Sequence, residues 1–251
     1  MTRRAVLALA ALVSAGCKLG APEGVPTPDR SSSALPTYTV SRGPRASLDQ
    51  PGNSLGGFVH PGTGRPVPSS RVQGDAWMRY DDEGLHVRVD VYDPRPEAPF
   101  DPSQRDPHLW ERSSGVELML QPGDPGDNRD YFEIQVDSRG ARWTTRFDDY
   151  NRPIRVGPDG RRRFGDESWE PDLSVITESL PGGRGYRVRF TVRWQDLPRV
   201  RAPTPPNPGD VWRANVYTFR DGQRDSLAWS PLLGQGNFHR SGRWGRIVFA
   251  R

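Results

Sequence analysis

Four segments of the chain alternate apolar and polar residues with a period of two, as in LHVRVDV and YRVRFTVRW. This period is typical of a β-strand with one face in a core and the other face in water. The four segments are 85–91, 116–121, 131–137 and 186–194. Weaker strand patterns lie at 75–80, 141–147, 173–177, 212–220 and 245–250. We therefore predict about nine or ten short strands.

Glycine and proline separate these segments, with 27 Gly and 26 Pro in 251 residues. Such residues favour turns and long loops, and segments with helical periodicity are nearly absent. Strands do not alternate with helices along the chain, and no internal repeat is found. The pattern predicts an all-β fold, an antiparallel β-sandwich of jelly-roll type.

The first 16 residues have the pattern of an export signal. Arg3 and Arg4 precede an apolar run over 5–13, and the small residues SAG follow. A charged segment, a short apolar run and small residues before a cleavage site make a secretory signal peptide. The apolar run is too short to span a bilayer as a helix.

Cys17 directly follows the small residues and is the only cysteine of the chain. This position resembles a bacterial lipobox, in which the thiol is acylated and becomes the new N-terminus, although Ser14 stands where leucine is usual. We expect lipid at Cys17 to hold the protein in the cell envelope, as an outer-membrane lipoprotein, because Lys18 stands where aspartate retains some lipoproteins at the inner membrane. An ordinary signal peptide with an incidental cysteine stays open.

Residues 17–36 are rich in Pro, Ser and Gly and offer little to bury. This composition predicts a flexible tether, so that the folded domain spans 37–251. With a single cysteine, the exported domain has no disulfide and no metal site made of thiolates.

The formal net charge is +4 and the isoelectric point is about 9.6. Arginines are spread along the whole chain, whereas a nucleic-acid site would gather cations on one face among aromatic residues. The densest run is 161–163, between Asp159 and Asp166, and we interpret it as a solvated turn. We therefore expect no nucleic-acid partner.

No nucleophile motif of the type G-x-S-x-G and no H-E-x-x-H metal motif occurs in the sequence. Carboxylate pairs such as Glu117 with Glu133 are of the kind that hydrolyses glycosides, but β proteins commonly offer such pairs. We therefore predict a protein that is not an enzyme. The four histidines are scattered, so a metal site is neither indicated nor excluded.

Eight tryptophans are many for this length. Trp194 lies in phase with the apolar side of its strand, so we expect it in the core. Trp110 and Trp229 lie beside Pro, Ser and charged residues instead. An indole ring packs against the CH groups of a sugar, while carboxylates, amides and arginines bind its hydroxyls.

The order of these segments resembles the carbohydrate-binding module family 9-like domain. The matching segments are AWMRYDDEGLHV (76–87), LW (109–110) followed by GVEL (115–118), YFEIQVD (131–137), WQDL (194–197), GDVWRAN (209–215), and AWSP (228–231) followed by NFH (237–239) and WGRIVF (244–249). The resemblance implies a sugar-binding β-sandwich, with Trp110 and Trp229 near the ligand. It implies Glu117, Asn215 and Arg220 as hydrogen-bonding residues.

Together these observations predict a monomeric, lipid-anchored protein that binds a glycan, without catalysis of its own. We expect no cofactor, and calcium, found in some members of the family, stays open. A structural or protein-interaction lipoprotein that has kept the fold and lost the sugar site is an alternative. A haem-binding relative is a third, with Met78 or Met119 and a histidine as the iron ligands.

Overall fold

The computed structural model describes residues 29–32, 34–49, 52–220, 224–234 and 237–251. Within these ranges the chain is mostly β. The strands are β1 (Thr37–Arg42), β2 (Gly74–Tyr80), β3 (Gly84–Val91), β4 (Gly115–Gln121), β5 (Arg129–Asp137), β6 (Arg142–Asp149), β7 (Arg155–Val156), β8 (Arg162–Arg163), β9 (Ile176–Ser179), β10 (Tyr186–Arg193), β11 (Val211–Arg220), β12 (Asp225–Ala228) and β13 (Gly245–Ala250). One short α-helix, α1, spans Leu109–Arg112. Short 3-10 helices lie at Arg45–Asp49, Pro181–Gly183, Trp194–Asp196 and Ser241–Arg243.

Eleven strands form one sheet, and β7 pairs with β8 in a separate hairpin. The order across the sheet is β6-β5-β4-β11-β13-β1-β2-β3-β10-β9, with β12 paired to β11. The prediction of a purely antiparallel fold is wrong, because β1 runs parallel to both of its neighbours, β13 and β2. The long connection between β1 and β2 allows this, since only a tight hairpin forces neighbouring strands to be antiparallel.

The sheet curls so that its two halves share one apolar core. Val87 of β3 and Val188 of β10 come from one half, whereas Ile134 of β5 and Val216 of β11 come from the other. All four are at most 1% exposed. The period-two residues of the predicted strands therefore do point into a common core, as the sequence pattern predicts.

The polar phase of the central strands is buried as well. Every residue of β3 and of β4 is buried, although alternation predicts a wet second face. On the half made of β4, β5 and β6, a second apolar cluster covers this outer face. Its members include Tyr131 of β5, Phe147 of β6 and Trp244 near the C-terminus. Polar side chains between these aromatic rings are consequently shielded from solvent.

The predicted signal peptide and Cys17 lie outside the described residues. Arg30, within the predicted tether, contacts the folded part. Its guanidinium donates to the carbonyl oxygens of Gly57 at 2.6 Å and Leu55 at 3.2 Å. Its backbone N–H donates to the carbonyl oxygen of Gly64 at 2.8 Å. Among the described residues, no helix has the length and apolar character needed to cross a membrane.

Candidate functional site

A cavity of about 380 Å³ opens on the outer face of β4, β5 and β6. Four elements enclose it: the sheet, α1, the segment that carries the β7–β8 hairpin, and the loop before β13. Its lining residues are Trp110, Glu117, Glu133, Gln135, Trp143, Thr145, Phe147, Tyr150, Arg162, Arg163, Phe164, Gly165, Glu167, Asn237, Phe238 and His239.

The floor of the cavity is polar because of the register of β4 and β5. Glu117 lies opposite Gln135, and Glu133 lies opposite Met119, so the polar side chains of both strands share the outer face. The Gln135 amide nitrogen donates to Glu117 Oε2 at 2.9 Å and to Glu133 Oε1 at 2.8 Å. One amide thus holds two buried carboxyl groups side by side.

Burial favours the uncharged forms of Glu117 and Glu133 on the floor of the cavity. Desolvation raises the pKa of Glu133 to about 8. Desolvation and the nearby Glu133 raise the pKa of Glu117 well above its usual value. A carboxyl group away from water keeps its proton unless a cation or several donors compensate its charge. Glu133 is therefore mostly protonated at neutral pH, and the pKa of Glu117 is shifted in the same direction.

His239 closes one side of the floor as a neutral imidazole. Its Nδ1 lies 2.8 Å from the Tyr131 hydroxyl, and its Nε2 lies 3.7 Å from Glu133 Oε2. Burial lowers the pKa of His239 to about 3. The His239 ring also stacks on Tyr150, with ring centroids 4.1 Å apart, so aromatic packing fixes its position.

Indole rings form the opposite wall. Trp110 and Trp143 meet edge to face, with ring centroids 4.4 Å apart and an interplanar angle of 71°. His108 stacks on Trp110 at 4.4 Å. Trp110 lies in α1 and Trp143 lies in β6, so the wall is made of one ring from the short helix and one ring from the sheet. This arrangement places rigid apolar surface beside the polar floor.

Several buried polar atoms on the cavity lining have no hydrogen-bond partner within the described residues. They are Glu133 Oε2, Gln135 Oε1, Trp143 Nε1 and Thr145 Oγ1. Buried polar groups in folded proteins are almost always paired, and an unpaired one costs about 1–3 kcal/mol. The four atoms include donors and acceptors within one small cavity. This is the pattern of a site whose hydrogen bonds a ligand completes.

The structure brings Trp110 and Glu117 together in this cavity. Three other residues expected near the ligand do not line it. Trp229 is 1% exposed and lies in the main core. Asn215 exchanges hydrogen bonds with the backbone of Ser230, at 2.8 Å in each direction.

The third residue, Arg220, is held by acidic side chains away from the cavity. Its guanidinium donates to Asp93 at 2.5 Å and to Glu97 at 2.7 Å. These contacts give Arg220 a structural role between β11 and the loop after β3. The resemblance implied ligand contacts for Asn215, Arg220 and Trp229. In the structure these three side chains pack or form hydrogen bonds within the fold and do not line the cavity.

Sequence reasoning missed Gln135, Trp143, Tyr150 and His239 as lining residues. A signal for Gln135 was present, since Glu133 and Gln135 share the polar phase of one predicted strand. The other three depend on how β6 and the two covering segments meet, which no local pattern encodes.

The methionines named for haem lie among apolar side chains. Met78 belongs to the main core and Met119 to the outer cluster with Tyr131. In the part of the chain that the structure describes, no group of three or more His, Cys, Asp or Glu residues is arranged to hold a metal ion.

No sequence profile of a known family and no curated protein sequence matches the chain. Solved structures do. A carbohydrate-binding module family 9 from Caldicellulosiruptor kristjanssonii, in complex with cellotriose, superposes over 85% of this chain and 93% of its own, with a TM-score of 0.57 and 15% identity. A candidate carbohydrate-binding protein from Bacteroides uniformis superposes over 86% of this chain and 100% of its own, with a TM-score of 0.64 and 16% identity.

The fold is that of a carbohydrate-binding module of family 9. At this identity the likeness lies in the backbone rather than in the side chains. The family 9 resemblance of the sequence segments is therefore confirmed for the fold.

Proposed function

We propose that the protein is an exported, lipid-anchored carbohydrate-binding protein that holds a sugar of a glycan in the cavity between Trp110 and His239. One observation carries the proposal. Unpaired, buried donors and acceptors lie beside the half-buried ring of Trp110 in a cavity of about 380 Å³. A sugar ring offers apolar CH faces and many hydroxyls, so it satisfies both kinds of surface at once.

Each hydroxyl of a sugar can donate one hydrogen bond and accept others. Gln135 Oε1 suits a hydroxyl donor, whereas Trp143 Nε1 and the protonated Glu133 Oε2 suit an acceptor. Thr145 Oγ1 can do either. Water can offer the same hydrogen bonds to the free protein, so we expect modest affinity, with stacking on Trp110 adding to the hydrogen bonds.

The protonation of the floor favours binding over hydrolysis. A glycosidase of the common two-carboxylate type needs one ionised carboxylate as base or nucleophile. The pKa of Glu133 is raised to about 8, so this group is mostly neutral at pH 7, and burial beside Glu133 raises the pKa of Glu117 as well. A protonated Glu133 can donate a hydrogen bond to a sugar and does not act as a nucleophile. The cellotriose bound by the neighbouring family 9 module supports the same ligand class.

Lipid at Cys17 would hold the binding domain at a membrane, with a monomer sufficient because one chain supplies the whole cavity lining. The proposed arrangement presents a sugar site at the end of a membrane anchor in the cell envelope.

Isothermal titration of the purified protein with cello-oligosaccharides, after a glycan array has named the preferred sugars, tests the sugar site. Trp110→Ala should weaken binding about 10-fold or more, since stacking on an aromatic ring contributes roughly 1–3 kcal/mol by analogy with nucleobases. Thr145→Val is the sharper variant, because it removes an unpaired hydroxyl with little change of shape. It should weaken binding while leaving the melting temperature unchanged or higher.

Trp77→Phe serves as the matched control, since Trp77 contacts Arg88 outside the cavity. It should leave sugar affinity unchanged. An array on which the wild-type protein binds no glycan would contradict the proposal and leave a structural or protein-interaction lipoprotein as the better reading.

A further inference from the structure

The hairpin beside the cavity is short and well anchored. Arg155 pairs with Arg163, and Val156 pairs with Arg162. The backbone N–H of Gly157 donates to the Arg161 carbonyl at 2.7 Å. Beyond β8, an isolated bridge joins Asp166 to Arg146 of β6. The hairpin is therefore fixed to the strand that carries Trp143 and Thr145.

Three consecutive arginines of this hairpin differ in their partners. Arg161 pairs with Asp159 at 3.2 Å. Arg163 lies 3.8 Å from Glu167. Among the described residues, the Arg162 guanidinium has neither an ion pair nor a hydrogen bond. Arg162 and Arg163 line the cavity, whereas Arg161 does not.

The charges around the cavity do not cancel at neutral pH. The acidic residues on its lining are Glu117, Glu133 and Glu167. Glu167 is the partner of Arg163, and burial raises the pKa values of both floor carboxyls, which favours their neutral forms. Arg162 lines the cavity without an acidic partner among the described residues, so its positive charge is available to a ligand. Since His239 is a neutral imidazole, it adds no positive charge.

A planar guanidinium binds a carboxylate or a sulfate through two parallel hydrogen bonds. On this ground, and resting on the sugar site proposed above, we propose that the cavity selects an anionic glycan. The sugar ring would lie between Trp110 and the polar floor, and its carboxylate or sulfate would face Arg162 and Arg163. Both arginines are exposed, so we expect salt to weaken such an interaction.

A lipid surface is the rival ligand for this hairpin. Ile154 and Val156 are 57% and 58% exposed, and apolar side chains next to arginines are typical of contact with anionic lipid. The lining of the cavity favours the glycan, because Arg162 and Arg163 share one space with the indoles and the unpaired polar atoms. A lipid contact would require neither.

The experiment compares neutral and acidic forms of one sugar chain by titration calorimetry. The ligands are cellotriose, the same trisaccharide oxidised to glucuronate at C6, and its 6-sulfated form. At about 20 mM salt we expect the acidic forms to bind at least 10-fold more tightly than cellotriose. The preference should fall to about threefold or less at 500 mM salt, since salt screens exposed charges. Comparing glucuronate with sulfate shows which anion the site prefers.

The double variant R162Q/R163Q should abolish the preference, so that its affinities for the acidic forms and for cellotriose agree within about threefold. R155Q is the matched control, because Arg155 lies on the same hairpin and does not line this cavity. It should keep the preference. Equal affinity of the wild-type protein for the neutral and acidic forms would overturn the inference alone, whereas binding of no sugar at all would overturn the sugar site too.

A vesicle assay separates the lipid surface from the glycan. The Cys17→Ala protein is mixed with phosphatidylglycerol vesicles, so that no acyl chain takes part. We expect no binding that depends on Arg162. Vesicle binding that R162Q/R163Q removes, together with no preference for acidic sugars, would assign the hairpin to the membrane and overturn the inference.

Discussion

Glu117 and Glu133 share a single amide group, that of Gln135, which donates to one carboxyl at 2.9 Å and to the other at 2.8 Å. Glu117 is 1% exposed and Glu133 is 4% exposed. Two ionised carboxylates this close and this dry would repel each other. Burial and the closeness of the two groups favour their protonated forms, which couples the pair to pH.

Stability should therefore fall as pH rises through neutrality. The pKa of Glu133 is raised to about 8 in the folded protein, so the folded state keeps a proton that the unfolded state loses above about pH 4.5. His239 has the opposite effect, because its pKa is lowered to about 3, and that effect ends near pH 6.5. From pH 6.5 to 8 the free energy of unfolding should decrease by up to roughly 1.4 kcal/mol per pH unit for each retained proton.

Urea unfolding at pH 6.5, 7.0, 7.5 and 8.0 measures this decrease. Glu133→Gln should reduce it, and Glu117→Gln combined with Glu133→Gln should remove it, because an amide does not titrate in this range. Glu167→Gln, a change at the exposed rim of the same cavity, should behave as the wild-type protein does. An equally steep decrease in the double variant would mean that other groups cause it.

A second prediction concerns Trp229, which the structure places in the core. Trp229→Ala should cost about 3–5 kcal/mol of the free energy of unfolding, as for other large-to-small changes of buried aromatic residues. Trp110→Ala, a change at a half-buried ring, should cost less than half as much. Chemical unfolding of both variants checks this, and similar costs would mean that Trp229 is less tightly packed than the structure shows.

The backbone of Gly245 offers a companion test. A Cβ added there would lie 2.4 Å from the Trp229 ring, so Gly245→Ala should also destabilise the protein. The destabilisation would come from steric overlap with the Trp229 ring and not from the loss of an existing contact. Gly209→Ala would confuse the test because of its positive φ, whereas Gly52→Ala has room beside a flexible arginine and serves as the control.

The alternating segments predicted most of the sheet. The expected strand over 186–194 is β10 (Tyr186–Arg193), and that over 116–121 is β4 (Gly115–Gln121). Alternation succeeds there because each strand has one face in the shared core. The expected strand over 173–177 overlaps β9 (Ile176–Ser179) only at its end, since an edge strand with few buried residues has little apolar signal.

The site was less predictable for a physical reason. Trp110 and Glu117, predicted from the order of short segments, line the cavity. Trp229 and Asn215, predicted in the same way, are buried within the fold and do not line it. Whether an indole faces a cavity or a core depends on the residue opposite, such as Gly245 against Trp229. Local periodicity along the chain does not indicate that Gly245 and Trp229 are in contact.

Asp90 is the centre of a buried ion cluster, and a third prediction follows from it. Arg88 and Arg187 each donate two hydrogen bonds to its carboxylate, at 2.7–2.9 Å. Burial opposes ionisation, but hydrogen bonds from Arg187 and Arg88 outweigh it and lower the pKa of Asp90. Asp90→Ala should cost about 3–5 kcal/mol, because it leaves buried guanidinium charge without a partner.

The same cluster gives stability that is present above the unfolded pKa of aspartate and is lost as the pH falls through the lower folded value. Thermal unfolding between pH 2 and 5 should therefore show a steeper decrease for the wild-type protein than for Asp90→Ala. Asp159→Ala, at an exposed turn, should change stability by less than about 0.5 kcal/mol. Equal costs for the two changes would contradict a buried role for Asp90.

The last prediction concerns the anchor. Cys17 is the only thiol of the chain and directly follows the small residues of the signal, so acylation can occur at no other cysteine. Cys17→Ala should abolish labelling by a radioactive fatty acid and move the protein from the membrane fraction to the soluble fraction. Cys17→Ser is the conservative control and should do the same, because a hydroxyl does not replace the thiol in lipobox processing. Membrane association of both variants that survives a high-salt wash would contradict lipid anchoring at this position. Since firm anchoring requires more than one acyl chain, mass spectrometry of the wild-type N-terminus should find several.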